Sequence, residues 1–114
     1  MRVLLDGVPL SRLAESACRL VKFLSEHVEA VTERRQRPSA DPIHAVTADT
    51  DAAISGNRNA AGTTRTTAFR MRASVLQSLE EAGRNVPREV AKDGLVKYVP
   101  GKGWRLVYSA WVKR

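Results

Sequence analysis

The sequence predicts an α+β fold: a long N-terminal amphipathic helix, an extended low-complexity arm, and a small C-terminal helix plus antiparallel β-hairpin module. Three observations predict it. Apolar residues recur every three or four positions between Leu13 and Val31, the spacing of one helix face. Residues 38–66 hold Ile43, Val46 and Ile54 as their large aliphatics and keep no period. The stretch LVKYVPGKGWRLVY, residues 95–108, alternates apolar and polar residues around Pro-Gly-Lys-Gly, as two short strands joined by a turn would.

The first segment, residues 1–37, reads as a short apolar lead-in followed by one helix. Ser11 is the expected N-cap, because its hydroxyl can accept from a first-turn N–H that has no helical partner. Leu13, Ala17, Leu20, Leu24, His27 and Val31 form the stripe, widened by Val21 and Val28. Glu15 precedes Arg19 by four residues, the supportive orientation for a surface pair. The basic run ERRQRP closes the helix, and Pro38 disfavours helical geometry at Arg37. A helix of about 25 residues is about 37 Å long, longer than the rest of the chain could cover. Leu13, Leu20, Leu24, Val28 and Val31 are therefore the expected interface with a partner protein or a second copy.

Residues 38–66 are dominated by Ala, Thr, Asp, Asn, Ser, Gly and Pro. Such a stretch buries too little apolar surface to offset the entropy of ordering it, so an arm or linker is expected. In the third segment, residues 67–114, TAFRMRASVLQSLEEAG predicts a helix with Phe69, Ala73, Leu76 and Leu79 on one face, stopped at Gly83. NVPREVAKDG gives a short helical turn from Pro87 to Asp93-Gly94. The hairpin follows. A four-residue loop, Pro100 to Gly103, would pair Val99 with Trp104, Lys97 with Leu106 and Leu95 with Tyr108, and would set Tyr98 opposite Arg105. One face is then Leu95, Val99, Trp104, Leu106 and Tyr108, packed on the preceding helix; the other is Val96, Tyr98, Arg105 and Val107.

The 114 residues carry a formal net charge of +7. From Ala68 onward ten cations face four acids, so the excess is concentrated in the C-terminal part. A positive patch of this kind attracts polyanions through its long-range field and counterion release. The candidate nucleic-acid contacts are Arg70, Arg72, Lys97, Tyr98, Lys102, Arg105, Lys113 and Arg114, with Tyr98 suited to stacking on unpaired bases.

Catalytic chemistry is not expected. A nucleotide-binding loop needs Gly five positions before Gly101 and Ser or Thr after Lys102; the sequence has Val96 and Gly103 there. Cys18 is the only cysteine, which excludes an intramolecular disulfide and a cysteine-rich zinc site. His27 and His44 lack zinc-ligand spacing, so no metal, cofactor or small-molecule substrate is expected. No apolar run approaches the roughly 20 residues of a transmembrane helix, and MRVLLDGVPL, broken by Asp6, Gly7 and Pro9, does not read as a secretory signal.

The order helix, turn, hairpin, with VPGKGWRL at the hairpin tip, resembles the C-terminal part of a winged-helix DNA-binding domain. The effector domains of bacterial response regulators have a similar Gly-x-Gly-aromatic-Arg-Leu wing. The resemblance covers about 45 residues and puts the recognition helix at Pro87 to Lys92, short for a major groove.

Together these features predict a non-enzymatic basic subunit of a large ribonucleoprotein, such as a mitochondrial ribosome, with RNA (rRNA) and neighbouring protein subunits as partners. Its C-terminal module would contact phosphates, its helix would dock on protein and its arm would thread between components. Two alternatives are kept: a winged-helix-like DNA-binding regulator, homodimeric through its N-terminal helix, and an accessory structural subunit of a respiratory complex. An intracellular location is expected, the mitochondrial matrix for the ribosomal subunit and the cytoplasm as the alternative.

Overall fold

The computed structural model describes residues 2–35, 41–56, 61–108 and, by backbone alone, 111–113. The fold is α+β, with four helices and two antiparallel sheets among these residues.

The chain begins with strand β1 (Arg2–Leu5) and strand β2 (Val8–Pro9), paired antiparallel. Asp6 and Gly7 between them have φ of 49° and 79°. Two successive positive φ values match the right-handed twist of the flanking strands, which is why Asp-Gly favours this turn. The expected lead-in is therefore a hairpin. Pro9, which has no N–H to donate, sits in an edge strand, where that absence costs no ladder bond. The other edge of β1 pairs antiparallel with strand β5 (Trp111–Lys113). Val3 and Leu5 alternate inward and are buried.

Helix α1 (Glu15–Arg34) starts later than Ser11 suggested. Ala14 is the N-cap and makes no side-chain bond, while the acidic Glu15 in the first turn suits the positive end of the dipole. The long N-terminal helix is thus present, at 20 residues. Its stripe is covered from within: Ala17, Cys18, Leu20, Val21 and Leu24 are buried in one core with Val3, Leu5, Ile54, Met71, Val75, Leu79 and Trp104. β1, β5, helix α2 (Thr47–Ser55) and helix α3 (Thr63–Glu81) all pack on it.

Residues 47–55, expected as part of an arm, form helix α2 (Thr47–Ser55), closed by Gly56 at φ 73° with its N–H on the Ala52 carbonyl at 2.7 Å. Its buried residues are Thr50, Asp51 and Ile54, so polar contacts do what an apolar stripe does elsewhere.

Helix α3 (Thr63–Glu81) is longer at its start than the sequence implied, and ends as expected. Gly83 donates to the Glu80 carbonyl at 3.0 Å and Arg84 to the Leu79 carbonyl at 3.0 Å, the paired bonds of a Schellman stop. Helix α4 (Arg88–Asp93) is the short turn expected after Pro87. Strands β3 (Val96–Val99) and β4 (Gly103–Leu106) make the C-terminal hairpin. A third rung comes from Ala45, which exchanges both backbone bonds with Trp104, at 2.7 and 2.8 Å.

Candidate nucleic-acid interface

Helices α2 and α3 are joined by a buried polar clasp. The Asp51 carboxylate accepts the backbone N–H of Thr64 at 2.8 Å and also its hydroxyl. The Thr64 hydroxyl lies 2.7 Å from that of Thr50, which in turn donates to the Thr47 carbonyl at 2.9 Å. Thr64 is in the first turn of α3, where N–H groups have no helical acceptor. Gly62, at the N-cap, has no side chain to supply one, so Asp51 supplies it from α2. A carboxylate only 5% exposed is tolerable because these donors replace water.

The clasp leaves one face of α3 outside. Thr64, Thr67, Met71, Val75, Ser78 and Leu79 point inward, and Arg65, Thr66, Phe69, Arg70 and Ala73 are exposed. This reverses the expectation for Phe69 and Ala73: Phe69 is 83% exposed. The inward stripe is led by Met71, Val75 and Leu79, with small hydroxyl residues completing it, so the large apolar side chains Phe69 and Leu76 do not mark the buried face. No acid occurs between Asp51 and Glu80, while Arg58, Arg65, Arg70 and Arg72 do. At the far end of the helix Glu81 is held by Arg12 in a bidentate pair at 2.7 to 3.1 Å. That hydrogen bonding keeps the Glu81 carboxyl below its ordinary range.

The C-terminal hairpin packs through β4 on α1 and α2. Its register differs by one from the expected one: Val96 faces Leu106, Lys97 faces Arg105, Tyr98 faces Trp104 and Val99 faces Gly103. The turn is therefore Pro100-Gly101-Lys102, closed by the Lys102 N–H on the Val99 carbonyl at 3.0 Å. Ala45 fixes it. A Cβ on Gly103, at φ +119°, would stand 2.2 Å from the Ala45 carbonyl oxygen, so only glycine lets the third rung approach. Tyr98 consequently meets Trp104, ring centroids 5.3 Å apart, in place of Arg105. Trp104 is buried and donates from Nε1 to Thr47 Oγ1 at 3.2 Å, tying the hairpin to the start of α2. His44, next to the rung, accepts at its carbonyl from His27 Nε2 at 3.0 Å in the tautomer protonated there.

The predicted contact residues divide. Arg70 is exposed on α3, Lys102 is exposed at the hairpin tip, and Tyr98 is 42% exposed on β3. Arg105 is half-buried, its Nη1 3.4 Å from the Leu106 carbonyl. Lys97 pairs with Asp93 at 3.6 Å. Arg72 serves the fold: Nη2 donates to the carbonyls of Ala91 and Lys92 at 3.2 and 2.8 Å, capping α4 and anchoring the root of the hairpin to α3. Lys113 is placed by its backbone in β5, and Arg114 lies outside the described residues. Of the expected partner-helix interface, Leu20 and Leu24 are 0% and 2% exposed and belong to the core of this chain. Leu13, Val28 and Val31 are half-buried. Arg65, Thr66 and Phe69, which the predicted contacts do not include, share the exposed face of α3 with Arg70; the acid-free run from Ala52 to Leu79 is the feature of the sequence that marks them.

Burial pushes the Cys18 thiol up, away from the reactive thiolate. Among the described residues no cluster of three or more His, Cys, Asp or Glu could hold a metal ion, and no helix is long and apolar enough to cross a membrane.

The described elements define an α+β domain in which a clasped helix pair, with a basic outer face, carries a β-hairpin closed by a third rung. Comparison of the chain with protein-family models, curated proteins and solved structures gives no match.

Proposed function

We propose that this chain is a non-enzymatic duplex-DNA-binding module that lays α3 in the major groove and sets the β3–β4 hairpin against the adjacent backbone. The observation that carries this is the arginine-bearing outer face of α3, free of acids from Arg65 to Gln77 and reaching Glu80 only in the last turn, held on α2 by Asp51. A rigid helix presenting Arg65, Thr66, Phe69 and Arg70 fits a B-form major groove about 12 Å wide. The major groove of A-form RNA is deep and narrow and does not admit such a helix. The recognition element of the proposal is α3; α4, at Pro87 to Lys92, serves as the link into the hairpin. The Gly-x-Gly-aromatic-Arg-Leu resemblance implied a recognition helix at Pro87 to Lys92; the proposal keeps the hairpin as the wing and gives the recognition role to α3 instead.

Three features pointed to a ribonucleoprotein subunit: the basic C-terminal part, the uncovered helix stripe and the arm. The last two are used inside the fold, as core and as α2, and the first suits DNA equally. Dimerisation through Leu20 and Leu24 is not part of the proposal, since the chain itself covers them.

Anisotropy of a labelled duplex titrated with the full chain across a salt series tests the proposal. Affinity should fall with salt, with a log–log slope of about −0.9 for each phosphate neutralised. Lys102→Ala and Arg70→Ala should each make that slope shallower by about one. Absence of duplex binding at low ionic strength, or tighter binding to single-stranded RNA than to duplex, would overturn it.

A further inference from the structure

We propose that Phe69 is the specificity-determining contact of α3, reading the C5-methyl group of a thymine in the bound duplex. This rests on the DNA-binding reading above and adds what the site selects.

Phe69 is a large apolar side chain, 83% exposed, on a helix whose core side is complete without it. It stands in the middle of the outer face, with Arg65 one turn before it, Ala73 one turn after it, and Thr66 and Arg70 beside it. Thr66 and Ala73 are short, so the phenyl ring is the tallest apolar feature between two guanidinium groups. The arginines commit this face to a polyanion and make an apolar protein partner a poor occupant. In a major groove the base edges offer donors and acceptors, and one apolar group: the thymine methyl. A phenyl ring has no polar atom with which to satisfy the other edges, and burying an unpaired base donor or acceptor under it is unfavourable. The chemistry therefore selects thymine. One helical turn rises about 5.4 Å and DNA about 3.4 Å per step, so this thymine lies one or two base pairs from the position Arg65 reaches.

The test starts from the duplex that the full chain selects out of a random pool. Each thymine of that duplex is replaced singly by deoxyuridine, which removes the methyl group and nothing else. The wild-type chain should lose about fourfold in affinity at one position, the worth of one buried methylene, and little at the others. Phe69→Ala should bind the thymine and deoxyuridine duplexes alike at that position, and Phe69→Leu, still apolar, should keep part of the discrimination. Thermal melting of both variants at the wild-type temperature shows that the fold is retained. If no sequence is selected, or if wild type and Phe69→Ala respond alike to every replacement while still binding duplex, this inference fails and the DNA-binding reading stands. If no duplex binds at low salt, both fail.

Discussion

Asp51 and Thr64 are the joint of this fold: a carboxylate on α2 takes the place of the missing N-cap side chain of α3, accepting the Thr64 N–H at 2.8 Å. The angle at which α3 leaves α2, and so what its outer face presents, depends on that contact.

Asp51→Ala should therefore cost about 1–3 kcal/mol, the worth of leaving a buried N–H and hydroxyl without an acceptor. Asp51→Asn keeps one carbonyl oxygen in place and should cost less. Urea denaturation of the two variants measures the difference; equal stabilities for Ala and Asn would mean that the acceptor is not what holds α3.

Gly101 and Gly103 separate two demands on the hairpin. Both have positive φ, 78° and 119°, but a Cβ on Gly101 meets nothing within 4 Å, whereas one on Gly103 collides with the Ala45 carbonyl. Gly101→Ala should show only conformational strain, about 1 kcal/mol. Gly103→Ala should cost more and should also release the Ala45 amide, read as faster hydrogen exchange at Ala45. Undiminished protection of Ala45 in Gly103→Ala would contradict the third rung.

The two faces of α3 make a matched pair of substitutions. Leu79→Ala removes a buried side chain and should cost about 2–5 kcal/mol. Phe69→Ala, on the outer face, should change stability by no more than about 0.5 kcal/mol. A Phe69→Ala variant as unstable as Leu79→Ala would reverse the orientation of the helix.

His44 predicts a pH dependence. Burial holds its imidazole below the ordinary range; a backbone bond at Pro42 opposes this, and the charges of Lys102 and Arg105 add to it. Its Nε2 is buried with no hydrogen-bond partner among the described residues. As pH falls through about 6.5, the ordinary histidine value, the unfolded chain takes up this proton before the folded one does. Stability then declines, while above that pH both states are neutral and the group contributes no slope. The fall in melting temperature between neutral and mildly acidic pH should be smaller in His44→Gln than in wild type. Equal falls would remove His44 as a contributor.

The parts of the fold that were legible in the sequence are those built on apolar periodicity or on turn glycines: α1 from its stripe, the α3 stop from Gly83, the hairpin from Pro-Gly-Lys-Gly. What was not legible is built on polar contacts and pairings distant in sequence. Helix α2 buries Thr50 and Asp51 as well as Ile54, so its nine residues carry no period, and composition alone made them an arm. The register of β3 and β4 is set by Ala45, 59 residues before its partner Trp104, which alternation within the hairpin cannot reveal. The N-terminal hairpin was the avoidable miss, since Asp6-Gly7 between VLL and VPL is a strong local turn signal. For the candidate interface, charge counting ranks Arg70, Lys102 and Arg72 alike; it could not reveal that the Arg72 guanidinium donates to carbonyls of α4.

The most direct measurement is the map of amide chemical-shift changes when the full, isotopically labelled chain is titrated with a duplex at low salt. Changes should concentrate in the outward residues of α3, from Arg65 to Ala73, and in the hairpin around Tyr98 and Lys102. Changes confined to α1 and the β1–β2 hairpin, with α3 and the β3–β4 turn undisturbed, would contradict the account.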